Sequence, residues 1–381
     1  TSESRAFGRG GMGALMGSKN VKSITFEGDS RPDIEIPAVA DDIHRGAATS
    51  DSIMKRQGTT GMVDISNEMG TFPSFYFSQV THPRSESING DRVEEKKYRK
   101  GTCSNCAFAC KLPTRDEESG LETEGPEFET IMSFGGNCDV DDIVSIMKSN
   151  ELCDTLGLDT ISAGDTIAAY LAAHDEFGNE ELIHELVEKI AYREGDGDLL
   201  AEGIHRIHDE LGVEDWTVKG LEFPAHDGRS INGQGLSFAT ANRGADHLYS
   251  TFYSWEYPLV DKEEAVDPEG LDGKPPLLVE QEKRRALEDA GVMCRFSRDE
   301  QNEERIVALF DAEYETLLEV GERIVTLERH FNNQRGFDRS DDTLPYELPD
   351  FEAALDEYYD LHGWNDDGTV PEDRASQMAD V

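Results

Sequence analysis

The stretch Cys103-Ser104-Asn105-Cys106-Ala107-Phe108-Ala109-Cys110 decides how this chain is read, and a fourth cysteine far downstream, in Asp289-Ala290-Gly291-Val292-Met293-Cys294, completes it. Three closely spaced thiolates can grip one face of a metal centre, and a remote thiolate supplies the last position of a tetrahedral or cubane arrangement. Such a set exists only in a folded chain. Spacing alone leaves zinc and iron–sulfur about even. Cys138 and Cys153 stand outside the cluster and read as small buried apolar residues. The sequence shows neither a signal peptide nor a membrane-spanning run, so its six cysteines indicate a reducing cytoplasm, where clustered thiols bind metal more often than they pair.

Composition sets the surroundings. At 381 residues the chain can bury two ordinary cores, with one large helical body as the alternative. Eighty acidic residues against 36 basic ones give a net charge of -44, spread along the whole length. We read this as haloadaptation: dispersed carboxylates keep a surface hydrated when multimolar salt screens their repulsion. Disorder, the competing reading, is opposed by helical apolar periodicity that recurs throughout. Nucleic acid and anionic membranes are excluded as partners, because their phosphates would meet a like-charged surface.

Along the chain, the glycine-rich segment Gly8 to Gly17 precedes an alternating stretch, Val21 to Phe26, that reads as a strand, and Pro32 and Pro37 mark a boundary. Helical patterning then covers about 139–156, 160–176, 180–193, 197–211, 276–291, 300–332 and 350–362. Residues 214–250 break the pattern, and 257–276 read as an outlying loop. Asp154-Thr155-Leu156-Gly157-Leu158-Asp159 is weakly echoed by Asp289 to Cys294, each with an Asp at a helix end, a Gly shortly after and a polar or thiol side chain five places on. On these strings alone, a chance match is the favoured account.

Taken together, several strings resemble the tungsten- or molybdenum-containing aldehyde ferredoxin oxidoreductase family. They are Gly10 to Asn20, the cysteine loop, Glu124-Gly125-Pro126-Glu127-Phe128-Glu129-Thr130, Leu152 to Ser162, Val218 to Pro224, Arg243-Gly244-Ala245-Asp246-His247-Leu248, the Cys294 turn, and Asp341 to Pro345. Their order is the family's order. The resemblance implies a mainly α fold: two helical domains, 37–220 and 221–381, covering a cofactor. Residues 1–36 would be a short β remnant of a sheet-rich pterin-binding domain, in a halophile's form of the family that lacks most of that first domain.

The resemblance also assigns chemistry. Cys103, Cys106, Cys110 and Cys294 would bind a [4Fe-4S] cluster, and the company of the other motifs tips the balance away from zinc. Asp154, Gly157, Leu158 and Asp159, with Asp289, Gly291, Val292 and Met293, match paired turns that each hold one pyranopterin of a tungsten (or molybdenum) bis-pyranopterin. In the second turn Gly291 stands one place early and Val292 occupies the usual glycine position, which puts the local backbone in question. Gly11, Gly13 and Ala14 match a segment near the pterin phosphates, where magnesium can bridge and where Arg9 and Lys19 suit anions. Glu129 and His247 match proton-handling residues beside the metal, with Glu127 a close rival to Glu129. The implied activity is oxidation of an aldehyde to a carboxylic acid with electrons passed to ferredoxin, in a cytoplasmic enzyme for which a homo-oligomer is compatible. Two alternatives stand beside it: the same family acting on another oxo-acid or aromatic substrate, and an inactive truncated scaffold with four metal-binding cysteines. Substrate-contacting side chains are expected in loops such as 71–78 and 249–258.

Overall fold

The structure is a computed structural model that describes residues 9–29, 38–257, 265–296 and 302–379. Gly8, the Pro32 and Pro37 boundary, the middle of the loop expected at 257–276 and the start of the helix expected at 300 lie outside these residues. The fold is mainly helical, as expected. Among the described residues it has two short antiparallel strand pairs, Pro113–Arg115 with Glu122–Glu124 and Thr217–Val218 with Leu221–Glu222. Among the same residues, no helix is long and apolar enough to cross a membrane.

Side chains and glycines set the helix ends. The Asp142 carboxylate accepts the Val144 N–H at 2.9 Å and starts Ile143–Leu156, which Gly157 ends in the left-handed conformation (φ 81°). Two residues later Asp159 accepts the Ser162 N–H at 3.2 Å and starts Thr160–His174. Asn179 and Asn302 cap Glu180–Tyr192 and Glu303–Phe310 in the same way. Each such cap contributes about 1 kcal/mol.

Several expectations change. The helix expected over 197–211 is two, Asp196–Leu200 and Ile204–Leu211, parted at Gly203 (φ 81°). The one expected over 300–332 is also two, Glu303–Phe310 and Tyr314–Asn333, parted where Asp311 turns left-handed. The glycine-rich stretch 214–250 contains a helix, Asn232–Thr240, all nine residues of which are buried. A helix buried all round has no polar face, so it shows no amphipathic period. A further helix, Glu372–Ala379, follows the last one expected. Val21 to Phe26 forms no strand: Ile24 and Phe26 are exposed, and alternation becomes a strand only where a neighbour supplies the hydrogen bonds. The β remnant is therefore absent among described residues 9–29, which hold only the short helix Met12–Ser18.

One apolar core runs from Val63 to Ala245, and a second from Leu236 to Ala375. They meet in Asn232–Thr240, where Phe238 belongs to the first and Leu236 to the second. The first core is stapled by Phe75, Tyr76 and Phe77, three successive left-handed residues (φ 53°, 49° and 59°). Such residues cost about 1–2 kcal/mol each. Their N–H groups donate to Gly136 O, Asn137 O and Asn137 Oδ1, and Phe77 stacks on Trp216 at 4.7 Å. Gly136 permits this approach, since a Cβ there would lie 2.5 Å from the Pro73 carbonyl oxygen. The loop expected to line the substrate thus buries Phe72, Tyr76 and Phe77 in the core.

An excess of carboxylates this large predicts that the folded state gains from screening. The thermal midpoint should rise as KCl is raised from about 0.1 M to about 2 M, over which the screening length falls from about 10 Å to below about 3 Å. A flat or falling midpoint in calorimetry would contradict it.

Candidate active site

Glu129 sits in the single helical turn Phe128–Ile131, whose entry is fixed from outside. The Phe128 N–H donates to Thr59 Oγ1 at 2.8 Å, and the Thr59 hydroxyl donates to Glu127 Oε2 at 2.5 Å. The rival Glu127 therefore faces Thr59, and Glu129 turns inward. Glu129 Oε2 accepts the Ala225 N–H at 2.8 Å. Its Oε1 is buried without a hydrogen-bond partner among the described residues, 3.4 Å from His247 Nε2 and 3.7 Å from His226 Nε2. The three facing donor atoms lie within 4.8 Å of one another, a set that could share a proton or a substrate oxygen and that a divalent cation would also accept.

His226 was not anticipated from sequence. The matched string Val218 to Pro224 ends two residues short of it, and a single histidine after a strand carries no periodic signal. In the fold it is buried, adopts φ 68°, and lies parallel to Tyr253 with ring centroids 3.8 Å apart. A left-handed histidine is uncommon and marks a place where the surroundings dictate the backbone.

Electrostatics separate the two expected proton-handling groups. Burial pushes the Glu129 carboxyl up to about 7, against the Ala225 N–H and the Arg9 cation, which favour the carboxylate. Burial also brings His247 down to about 3, helped by the positive charges of Arg9, Arg243 and Arg295. His226 is driven far below its usual range by burial and then by His247. At neutral pH both imidazoles are uncharged and the carboxyl is poised between its two forms.

Arg9 joins this centre to the first helix-end turn. Its guanidinium donates to Asp159 Oδ2 at 3.0 Å, the Ala245 carbonyl at 3.1 Å and the Glu222 carbonyl at 2.7 Å. Burial disfavours the cation, but Asp159, Asp246, Glu222 and Asp165 outweigh that and hold it above its usual range. Arg9 is thus spent on protein acceptors and is not free for a phosphate. Gly11, Gly13 and Ala14 lie on the exposed start of Met12–Ser18.

The two echoing turns share a backbone. After Asp154, Gly157 is left-handed and the Leu158 N–H donates to Cys153 O at 2.9 Å; after Asp289, Val292 is left-handed (φ 55°) and the Met293 N–H donates to Glu288 O at 2.8 Å. Both are the six-to-one closure of a Schellman helix end. Gly291, the displaced glycine, stays right-handed. Their carboxylates differ in company: Asp289 is gripped by Arg295 through two 2.9 Å hydrogen bonds, whereas the Asn150 amide donates to Asp154 at 3.4 Å.

Among the described residues no disulfide joins the six cysteines, and Cys138 and Cys153 are set apart by burial, as expected. Cys138 and Cys153 are buried, and burial pushes both thiols up. Cys103 is exposed and Cys106 and Cys110 are half-buried, all three in a loop closed by the Gly101–Lys111 bridge, whereas Cys294 is exposed after the helix Lys274–Ala290. Thiols are the donor type that iron–sulfur clusters and structural zinc take, but among the described residues the four are not drawn into one tight ligand set: the set whose donor atoms lie within 4.8 Å of one another is Glu129, His226 and His247.

Helical layers around a carboxylate and two neutral imidazoles describe a centre built for acid–base chemistry. Residues 38–379 match the family described as aldehyde ferredoxin oxidoreductase, domains 2 and 3. The chain is 34% identical to the tungsten-containing aldehyde ferredoxin oxidoreductase of Pyrococcus furiosus, over 98% of this chain and 69% of that protein. It is also 34% identical to the enzyme of that name from Thermococcus kodakarensis, with the same coverage. Its fold resembles that of the active-site complex BamBC of benzoyl coenzyme A reductase, solved with 1,5-dienoyl-CoA, at a TM-score of 0.72 and 20% identity, over 97% of this chain and 69% of that one. The chain belongs to the aldehyde ferredoxin oxidoreductase family.

Two outcomes follow from this geometry. Val292 is 88% exposed, so Val292→Gly loses little packing and relieves a β-branched left-handed residue; unfolding in denaturant should show a gain of about 1 kcal/mol. Glu129 is the second. Between its usual value of 4.5 and about 7 the unfolded chain releases a proton that the folded chain retains, so folding loses stability as pH rises through that window. Glu129→Gln keeps an acceptor for Ala225 and cannot ionise. Its stabilising effect should be near zero at about pH 4 and approach about 3 kcal/mol by about pH 8.

Proposed function

We propose that this chain oxidises an aldehyde, with water, to a carboxylate, releasing two electrons toward ferredoxin and three protons. The observation that carries the reading is Glu129 Oε1, buried and unpaired between two neutral imidazoles. Glu129 is the base, because a carboxyl near neutral pH can both take and give up a proton. His247 stays uncharged and holds a substrate oxygen through a ring N–H. A tungsten (or molybdenum) bis-pyranopterin, when bound, supplies the two-electron chemistry.

The residues that would hold that cofactor are the turns Asp154 to Asp159 and Asp289 to Cys294, whose carboxylates and open main chain would offer acceptors and donors to its ring nitrogens and oxygens. Gly11, Gly13 and Ala14 are proposed to flank its phosphates, with magnesium as a bridging ion. Cys103, Cys106, Cys110 and Cys294 are proposed to hold a [4Fe-4S] cluster, so that Cys294 joins cluster and pterin within one turn and shortens the electron path. The helical bodies 37–220 and 221–381 would cover the cofactor, in a cytoplasm at high salt.

Elemental analysis of anaerobically purified protein tests the cofactor part: about four iron per chain with tungsten or molybdenum is expected, and zinc alone would defeat it. In the loaded enzyme, Glu129→Gln should lower kcat/KM for aldehydes by about 10²–10⁴ at unchanged metal content. Wild-type kcat/KM should rise with pH through about 7 as Glu129 ionises. Unchanged turnover in the variant would remove Glu129 from the chemistry.

A further inference from the structure

Behind His226 runs a buried hydroxyl chain that the reaction outlined above does not use. His226 Nδ1 lies 2.9 Å from the Tyr257 hydroxyl, which is in short contact with Thr71 Oγ1. Thr71 Oγ1 lies 2.8 Å from Ser66 Oγ and donates to the Ser66 carbonyl at 3.1 Å. Ser66, Thr71 and Tyr257 are fully buried. The backbone closes the same loop, since the N–H groups of His226 and Asp227 both donate to Thr71 O at 3.2 Å.

Donor accounting gives this chain a direction. The Thr71 hydroxyl has one proton and three oxygen neighbours, of which the Ser66 carbonyl can only accept; with the proton given to that carbonyl, Thr71 Oγ1 meets Tyr257 as an acceptor. The Tyr257 proton then points at Thr71. Its oxygen is left to accept from His226 Nδ1–H, and a neutral imidazole with its proton on Nδ1 has none on Nε2. Nε2 is the atom that faces Glu129 Oε1.

We propose that His226 is a positioning residue, held by Tyr257, Thr71 and Ser66 as the Nδ1–H tautomer, so that its bare Nε2, 3.7 Å from Glu129 Oε1, turns an acceptor lone pair toward the carboxyl and favours its protonated form. The arrangement keeps the base near neutral pH. No proton leaves along the chain, which ends on a carbonyl. The other groups bearing on Glu129 are the Ala225 N–H, Arg9, Asp159, Asp246 and His247. Those bearing on His226 are Phe128, His247, Tyr253 and Tyr257. The proposal rests on the reading of Glu129 as the base.

The test uses the whole chain labelled with 15N-histidine, with the His226 signals identified by their loss in His226→Gln. Wild type should show His226 protonated on Nδ1. Tyr257→Phe removes the acceptor, and Thr71→Val, of nearly unchanged volume, frees the Tyr257 proton to turn toward Nδ1. Both should move His226 toward the Nε2–H tautomer, which turns a proton toward the carboxylate. The Glu129 carboxyl band, assigned in the infrared by difference from Glu129→Gln, should then titrate about one pH unit lower, with the acid limb of kcat/KM moving alike. Wild-type His226 found as Nε2–H would overturn the proposal, as would folded variants whose tautomer and Glu129 titration do not move. If the tautomer is as stated but no aldehyde is oxidised, the proposed reaction fails and the positioning role stands.

Discussion

One buried guanidinium holds this structure in register. Arg9 reaches acceptors 150, 213 and 236 residues away in the chain, and so ties the first helix-end turn, the strand after Gly220 and the segment before His247 to a single point. A buried cation is stable only with its partners in place, and stripping one side of such a pair costs about 3–5 kcal/mol because the other is left uncompensated. The position of Asp159 relative to His247 is therefore fixed by electrostatics as well as by packing.

The same charge shapes the proton chemistry. Arg9 favours ionised Glu129 and neutral His247, while burial favours the neutral form of both. On His247 the two effects add, and the imidazole is carried down to about 3; on Glu129 they oppose, and the carboxyl stops at about 7. A site with a buried cation and side chains largely shielded from solvent thus yields one group that titrates near neutrality and one that does not. Two roles come from one environment.

What the sequence made legible were features decided locally. Asp142, Asp159 and Gly157 announce helix ends because capping involves residues only a few places apart, and the cysteine loop announces itself by spacing. Glu129 and His247 were legible through the strings around them, and they do meet, 3.4 Å apart. What was hidden depends on distant neighbours. Asn232–Thr240 lacks an amphipathic period because two cores surround it, Val21 to Phe26 has the alternation of a strand without a partner among the described residues, and His226 gains its meaning only from Tyr257, Thr71 and Glu129. Arg9 misled for the same reason: its glycine-rich company suggests an anion, and its actual partners lie far along the chain.

The paired turns show how far the pattern of residue types and the backbone can part. Read by letters, the second turn is damaged, with its glycine one place early. In the fold, the closing bond from Met293 N–H to Glu288 O matches that from Leu158 N–H to Cys153 O, and Val292 takes the left-handed place of Gly157. A helix end is shaped by carbonyls that need donors, and a strained residue at the turn costs less than leaving them unsatisfied. The likeness stops at the backbone, because Arg9 binds the last residue of the first turn and Arg295 the first residue of the second. The two turns therefore present one main-chain shape with differently placed charge.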